Sequence, residues 1–262
     1  MPEGHTIHRL ARDLRKELGT GPIRATSPQG RFAEGAAALD GRSIRRSDAW
    51  GKHLFVDFDS EVLHVHLGLI GKFRPAPVAE TPRDTIRLRL ENDVAAWDLT
   101  GPHSCRLVGR EELVAITDSL GPDPLRRGAR GDHVVAAAAR RTAPIAAVLL
   151  DQTVIAGIGN VYRAEFLFLV GIDPRTPAKA LDPSQVHSLW ELSKDHLRQG
   201  VRLNRIVTVT REDAGAPAGR LRREDSLYVY KREGLPCRRC GTEIVMGDVG
   251  GRSCWWCPRC QR

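Results

Sequence analysis

Aromatic residues and long apolar runs are scarce in this chain. Phe, Trp and Tyr together make up 5% of its 262 residues. No stretch approaches the roughly 18 consecutive apolar residues of a transmembrane helix. Charged residues also occur too close to the N-terminus for the apolar region of a secretory signal peptide. Hydrophobic content of 41% and charged content of 27% are ordinary for a globular protein. We therefore expect a cytoplasmic protein with no membrane partner.

Cysteines are also few, but five of the six lie at one end of the chain. Clustered cysteines in a cytoplasmic protein are more often metal ligands than disulfides. Cys237-x2-Cys240 and Cys257-x2-Cys260 each offer two thiolates from one turn, as tetrahedral zinc requires, and predict one structural Zn²⁺. Cys254 and Cys257 have the same C-x2-C spacing and would also be possible as the second pair of zinc ligands. The Pro and Arg between Cys257 and Cys260 suit a zinc knuckle, so Cys254 is predicted to be a neighbour of the site.

The net charge is +8, and most of the excess lies in the last quarter of the chain. Residues 202–262 contain 13 basic and seven acidic side chains, an excess of six. A solvated basic surface is the simplest interpretation. Basic residues around a zinc module favour nucleic acid as the partner.

The first residues suggest covalent chemistry. Removal of Met1 would leave Pro2 as a secondary amine at the terminus, beside Glu3. An α-amine has a pKa of about 8, so a useful neutral fraction exists at cellular pH for nucleophilic attack. Glu3 can supply a proton if burial or nearby negative charge raises its pKa.

The N-terminal half predicts a β-sandwich that carries one long helix. Apolar residues at helical spacing predict a helix over residues 6–18, with Thr6 as its N-cap. Short alternating segments at 53–58, 62–67, 85–90 and 94–98 predict strands. The sheet region is expected to end near residue 117. With the helices that follow, the fold class is α+β.

The C-terminal half changes to a helical pattern after Gly121-Pro-Asp-Pro124. Helices are predicted at 133–141, 143–151 and 161–170, and a fourth begins at the N-cap Asp182 and closes at Gly200. Residues 211–225 predict a mobile loop, and residues 227–230 a strand. We expect an N-terminal catalytic domain at 1–118, a linker at 119–130, a helical domain with the loop at 131–225, and a zinc finger at 226–262.

A Gly157-Ile-Gly159-Asn160 turn precedes the third of these helices. Glycines before a helix start allow close backbone approach, and the helix N-terminus favours phosphate. Asn160 would either cap the helix or donate to a phosphate oxygen. The short pattern is weak evidence by itself.

Three further side chains allow two interpretations each. Arg252 follows two glycines between the knuckles and would reach a phosphate or remain in solvent; the spacing favours neither. His64 and His66 have a spacing compatible with a metal, but surface histidines or phosphate contacts are favoured. Cys105 stands alone and is predicted to be a small buried hydrophobe.

The terminus, the glycine turn and the cysteine module occur in this order in one family. The whole chain resembles the formamidopyrimidine-DNA glycosylase and endonuclease VIII family of base-excision repair. Pro2-Glu-Gly resembles the start of the endonuclease VIII branch, and the segment 2–11 is similar to its second type in actinobacteria. Trp50-Gly-Lys52 resembles the lysine hairpin. Residues 151–171 resemble the helix–two-turns–helix motif, and residues 237–261 the zinc finger.

The resemblance implies a role for each matching residue. Pro2 would be the nucleophile at C1′, and Glu3 the general acid for ring opening and base departure. Lys52, otherwise an exposed hairpin lysine, would contact phosphate and assist β-elimination. Arg252 would lie at the nick and serve δ-elimination, and Asn160 would hold a phosphate beside the lesion.

Further expected DNA contacts are Leu69, Gly159 and Arg163. The sequence also departs from the family pattern at two places. Thr6 stands where some members carry a second glutamate. Gly68-Leu69-Ile70 stands where the endonuclease VIII branch has a Gln-Leu-Tyr wedge. Leu69 can still enter a base step, as apolar side chains generally do.

These features predict a bifunctional DNA glycosylase and AP lyase that removes oxidised bases, with pyrimidines favoured. Its partner would be double-stranded DNA with damaged bases or abasic sites, and the enzyme a bacterial, nucleoid-associated monomer. The rival is a non-catalytic, zinc-dependent protein that binds damaged DNA; only Pro2, Glu3 and Lys52 separate the two. An RNA-binding zinc ribbon has little support, because no stacked-aromatic signature occurs.

Overall fold

The computed structural model of the protein describes residues 2–19, 21–59, 61–215 and 221–262. The chain forms two compact units, Met1–Ser119 and Leu120–Arg262. Within the described residues no helix is both long and apolar enough to cross a membrane.

The first unit contains three helices and eight strands among its described residues. They are α1 (Gly4–Leu18), β1 (Arg24–Thr26), α2 (Ala33–Leu39), β2 (Arg46–Trp50), β3 (His53–Asp57), β4 (Val62–His66), β5 (Lys72–Ala76), β6 (Ile86–Glu91), β7 (Ala96–Thr100), β8 (Ser104–Val108) and α3 (Arg110–Asp118).

The strands form two antiparallel sheets with the orders β1-β6-β7-β5 and β2-β3-β4-β8. Apolar side chains from both sheets and from α1 meet in one core, for example Leu14, Leu54, Leu63, Leu88 and Leu99. Each of these side chains is fully buried. Two sheets that share a core form a β-sandwich, which confirms the predicted fold.

Helix α1 begins at Gly4, so the prediction of Thr6 as its N-cap is wrong. Glu3 occupies the N-cap position, and its carbonyl oxygen accepts from the amides of Thr6 at 2.9 Å and Ile7 at 3.4 Å. The backbone of Glu3 thus begins the helix without a side-chain cap. The buried face of α1 packs on β2 and β3, which fixes the chain just before it.

The sheet region ends earlier than predicted. Strand β8 stops at Val108, and residues 110–118 form α3 instead of more sheet. Leu113 and Ile116 of α3 pack against Phe55, Val62 and Val108 on the outer face of the second sheet. Their three-residue spacing places both on one side of a short helix.

The second unit is mostly helical. It contains α4 (Asp132–Ala139), α5 (Ile145–Val148), α6 (Asn160–Val170), a 3₁₀ turn (Ala178–Ala180), α7 (Pro183–Leu203), β9 (Val245–Asp248) and β10 (Ser253–Trp256). Asp182 caps α7 as predicted: it accepts from the Ser184 amide at 2.8 Å, while Gln185 accepts from the Asp182 amide at 3.0 Å. The helix continues past Gly200 to Leu203.

The predicted strand at residues 227–230 is absent from the described structure. The buried carboxylate of Glu165 on α6 accepts the amides of Tyr228, Val229 and Tyr230 at 2.8–2.9 Å. These amides are therefore not available for a strand ladder. One carboxylate fixes the chain between α7 and the antiparallel β9–β10 hairpin.

Candidate active site and zinc centre

Glu3 lies at the N-terminus of α1 with its side chain fully buried, and Pro2 is half-buried beside it. Met1 lies outside the described residues. Burial disfavours the charged form of a carboxyl group. The buried position of Glu3 therefore suits a proton donor.

Lys52 lies on the two-residue turn that joins β2 to β3. Trp50 pairs with His53 across this turn, and Gly51 adopts a φ of 56°, a conformation that glycine supplies without strain. Because α1 packs against both strands, the lysine hairpin and the helix that begins after Glu3 belong to one packed substructure.

Four histidines form an array on β3, β4 and the turn before β8. His53 Nδ1 lies 2.9 Å from His64 Nε2, the rings of His53 and His66 are 4.8 Å apart, and His103 meets His66 edge-on. Burial, with nearby charge, lowers the pKa of His53 to about 3 and that of His64 to about 4. Both rings are therefore neutral at cellular pH.

This array corrects the interpretation of His64 as a surface histidine, because its side chain is buried between neighbouring rings. His66 is half-buried. Among the described residues, only the four-cysteine cluster brings three or more potential ligand atoms close together, and His64 and His66 belong to no such group. Cys105, on β8, is half-buried, and burial raises its thiol pKa to about 12.

Two large apolar side chains stand in solvent on the turn between β4 and β5. Leu69 is 59% exposed and Ile70 is 78% exposed, while the flanking Leu67 is buried. Exposed apolar residues grouped on one turn point to a contact surface. The sequence analysis named Leu69 as an expected DNA contact. It did not name Ile70, which is the more exposed of the two.

Asn160 is the first residue of α6, and Gly159 takes the N-cap position. The Asn160 side-chain amide donates to the carbonyl of Ser253 at 3.0 Å, and its oxygen accepts from Arg163. The structure thus ties the glycine turn to the start of β10. Asn160 is 7% exposed, so the Asn160 side chain is nearly covered by its own unit.

The prediction of Arg163 as a DNA contact is wrong. Its side chain is fully buried, and its guanidinium donates to the carbonyls of Ser253 at 2.9 Å, Val249 at 3.3 Å and Ala146 at 3.4 Å. Instead, Arg163 joins α5, α6 and the zinc hairpin.

We expect Arg163→Met to lower the free energy of unfolding by about 3 kcal/mol, because several buried carbonyls lose their donor. Urea denaturation measures the change. Arg130→Met is the control: Arg130 is 82% exposed beside Asp132, and its loss should change stability by less than about 0.5 kcal/mol. Unchanged stability of Arg163→Met would contradict this role.

Four cysteines gather in the second unit as the spacing predicted. The sulfur atoms of Cys237, Cys240, Cys257 and Cys260 all lie within 4.8 Å of one another, with Cys240 and Cys257 at 3.5 Å. Four thiolates on a tetrahedral zinc, with Zn–S of about 2.3 Å, require sulfur separations of this size. The cluster is suited to one structural zinc ion. Cys254 lies outside it, buried on β10.

Arg252 stands exposed on the turn between β9 and β10. Its carbonyl accepts from the Val249 amide at 3.0 Å, which closes the turn, and Gly250 adopts a φ of 67°. A Cβ on Gly250 would lie 2.6 Å from the Ala147 side chain, so only glycine fits where the hairpin meets α5. The side chain of Arg252 is thereby presented to solvent at the tip of a fixed hairpin.

Three family models match successive parts of the chain. The Formamidopyrimidine-DNA glycosylase N-terminal domain matches residues 1–103, and the Formamidopyrimidine-DNA glycosylase H2TH domain matches residues 120–212. The Zinc finger found in FPG and IleRS matches residues 234–262.

Individual proteins match along the full length. Endonuclease 8 1 of Mycobacterium bovis is 42% identical over 268 residues, which cover 100% of both chains. A Lactococcus lactis FPG mutant in complex with a Fapy-dG containing DNA has a TM-score of 0.82 at 25% identity over 100% of both chains. A complex of the Lactococcus lactis protein with an abasic site containing DNA has a TM-score of 0.81 at 25% identity over 99% of both.

The fold and the site together define a DNA glycosylase of base-excision repair. The chain belongs to the formamidopyrimidine-DNA glycosylase and endonuclease VIII family, which confirms the predicted resemblance. The mycobacterial relative is named as the first endonuclease VIII type, so similarity to the second type stays a prediction.

Proposed function

We propose that this protein is a bifunctional DNA glycosylase and AP lyase that removes oxidised bases through a Schiff base on Pro2. The observation that carries the proposal is the fully buried Glu3 directly beside Pro2 at the start of α1. A proton donor next to a low-pKa amine is the pairing that covalent base excision needs.

The chemistry divides into four steps after the damaged base leaves the stack. The Pro2 nitrogen bonds to C1′ as the glycosidic bond breaks, and the departing base takes up the proton that the Pro2 nitrogen loses. The C1′–O4′ bond opens as Glu3 protonates O4′, which leaves an iminium between Pro2 and C1′. The iminium acidifies the C2′ proton, whose removal breaks the C3′–O bond; δ-elimination then breaks the C5′–O bond.

The remaining predicted residues would hold the DNA. Lys52 contacts phosphate and assists proton transfer, and Asn160 and Gly159 present the N-terminus of α6 to a phosphate beside the lesion. Arg252, exposed on its hairpin, reaches the nicked strand and serves δ-elimination. Leu69 enters the gap left by the extruded base.

Residues 211–225 are proposed to contact the damaged base, although residues 216–220 lie outside the described residues. The preference for oxidised pyrimidines rests on the resemblance to the endonuclease VIII branch. The partner is double-stranded DNA with damaged bases or abasic sites, and the protein acts on it as a monomer in the bacterial cytoplasm.

Borohydride trapping tests the proposal. The untagged protein is incubated with duplexes that contain thymine glycol or an abasic site, and borohydride is added to reduce any iminium. We expect a covalent adduct with both duplexes, and peptide mass spectrometry should place it on Pro2 with Met1 absent. Intact DNA binding without an adduct would instead establish the non-catalytic rival.

We expect Glu3→Gln to lower base excision by at least about 100-fold, because glutamine keeps the shape of glutamate but cannot supply a proton. Cleavage at a preformed abasic site should fall much less, since its sugar exchanges with the ring-opened aldehyde and needs no acid-assisted ring opening. Single-turnover rates on the two duplexes measure the difference. Glu34→Gln, an exposed change on α2, is the control. Equal losses on both duplexes would contradict the assigned role.

A further inference from the structure

The loop between α5 and α6, residues 149–159, is largely buried although it forms neither helix nor strand. The side chains of Val154, Ile155, Ala156 and Ile158 are at most 1% exposed. A buried loop must find hydrogen-bond partners for its own backbone, because water does not reach it. The group that supplies these partners also fixes the chain where α6 begins.

The side-chain amide of Gln152 bridges the two ends of this α5–α6 loop. Its Nε2 donates to the carbonyls of Leu150 at 2.8 Å and Ile158 at 3.1 Å. Its Oε1 accepts from the amide of Gly157 at 2.9 Å. A side-chain amide has two N–H donors and one carbonyl acceptor, and Gln152 uses all of them within the loop. Gly157 adopts a φ of 96°, a conformation that glycine reaches without strain.

Two consecutive peptide groups at the start of α6 are held by their carbonyl oxygens. The Ile158 carbonyl accepts from Gln152, and the Gly159 carbonyl accepts from the Arg163 amide at 3.0 Å. Both peptide bonds are trans, and in a planar trans peptide group the N–H points opposite to the C=O. Holding these carbonyls therefore sets the directions of the Gly159 and Asn160 N–H groups.

We propose that Gln152 is a positioning residue that fixes the backbone amides at the N-terminus of α6 in the direction that binds a DNA phosphate. It acts through the peptide group between Ile158 and Gly159. The role rests on the proposed function, in which Gly159 and Asn160 meet the phosphate beside the lesion. Glycine has no side chain to cover its amide, so a phosphate can approach this backbone closely.

The contribution of Gln152 is preorganisation of the phosphate contact. Without its side chain, the Ile158 carbonyl and the Gly157 amide lose their shared partner, and the peptide group before Gly159 gains freedom to rotate. DNA binding must then order this peptide group, a cost that the wild-type chain has already met on folding. Loss of Gln152 should therefore weaken binding through one phosphate contact and leave the chemical step largely intact.

The test compares Gln152→Met with Gln185→Met. Methionine matches glutamine in length but has no amide. Gln185 also holds a backbone group with its side chain, since it accepts from the Asp182 amide at 3.0 Å where α7 begins. Gln185→Met thus removes a similar bond away from the α5–α6 loop.

Three quantities are measured on the full chain. The first is the Kd for a duplex with an uncleavable abasic analogue, taken between about 50 and 200 mM salt, where phosphate contacts dominate the change. The second is the excision rate at saturating thymine glycol duplex. The third is urea denaturation, which shows that each variant is folded.

We expect Gln152→Met to raise the Kd by about tenfold, the effect of one hydrogen bond to a charged group. The slope of log Kd against log salt should fall by about 0.9, the value for one phosphate contact on B-DNA. The excision rate at saturating duplex should change by less than about threefold, because the contact supports binding and not the chemical step. Gln185→Met should keep the wild-type Kd and slope.

The wild-type protein supplies a measurement that requires no variant to fold. In amide NMR spectra, addition of the analogue duplex should shift the resonances of Gly159 and Asn160. The Gly157 resonance should change little, because its amide is already bonded to Gln152. If Gln152→Met does not fold, these resonances decide alone.

The role of Gln152 would be overturned by a folded Gln152→Met with the wild-type Kd, by weaker binding with an unchanged salt slope, or by an equal loss of binding in Gln185→Met. Resonances of Gly159 and Asn160 that do not respond to the duplex would overturn it as well. A wild-type protein that binds the duplex but forms no borohydride adduct refutes the proposed function instead. Binding and its salt slope do not depend on catalysis, so the two failures are distinguishable.

Discussion

Addition of any residue before Pro2 is expected to abolish the borohydride-trapped adduct while DNA binding remains intact. An extension converts the Pro2 nitrogen into a tertiary amide, which has no nucleophilic lone pair and no proton to lose. Since nothing else in the proposed mechanism replaces this amine, base excision should fall by at least about a thousandfold. Protein with a retained N-terminal tag and protein with the tag removed provide the comparison.

Pro2→Gly tests the geometry of the amine as well as its presence. Glycine offers a primary amine on a freely rotating residue, whereas the proline ring fixes the direction of the nitrogen. A misplaced nucleophile loses about 100-fold or more in rate. Adduct yield with an abasic duplex measures the effect, and binding to an uncleavable abasic analogue shows that the fold is retained. Wild-type adduct in the extended protein would exclude Pro2 as the nucleophile, whereas wild-type adduct in Pro2→Gly would show that the proline ring is not required.

The second large effect is expected at the zinc centre. Cys257→Ala should reduce the zinc content from one ion per chain to near zero and unfold the β9–β10 hairpin. Zinc binding supplies about 10 kcal/mol or more to small cysteine modules, because a short hairpin cannot fold on its own apolar surface. Atomic absorption measures the metal, and near-ultraviolet circular dichroism of Trp255 and Trp256 follows the hairpin.

Cys254→Ala is the matched control in the same strand. Cys254 is as buried as Cys257, but its sulfur is outside the four-thiol cluster. We expect this variant to bind one zinc and to lose only about 1 kcal/mol of stability, the cost of a small buried void. If Cys254→Ala lost the metal and Cys257→Ala kept it, the ligand set derived from the spacing would be incorrect.

Patterns that depend on local covalent order were readable from the sequence. Two C-x2-C pairs predict zinc ligands because each knuckle forms within one turn, and the structure gathers those four sulfurs. Asp182 followed by proline predicts a helix start, because the capping bonds join residues at most three apart. The motifs at both ends of the chain and in the glycine turn were also sufficient to identify the family.

Patterns whose outcome depends on distant partners were misread. Arg163 was an expected DNA contact, yet its guanidinium donates to carbonyls of α5 and the zinc hairpin. Residues 227–230 have the alternation of a strand, yet Glu165 takes their amides. Neither partner can be identified from a window of neighbouring residues.

The sequence by itself determined the family and the cysteines suited to bind zinc, because each of these rests on residue type and short spacing. Only the tertiary structure decided which side chains are buried: Glu3, Arg163 and His64 are covered, while Arg252 and Ile70 face solvent. Burial is a property of the packed chain, since it depends on side chains from distant segments that cover a group. The contact between the first zinc knuckle and the segment after α7 also depends on the packed chain, because Arg239 meets Asp213 only after the fold has formed.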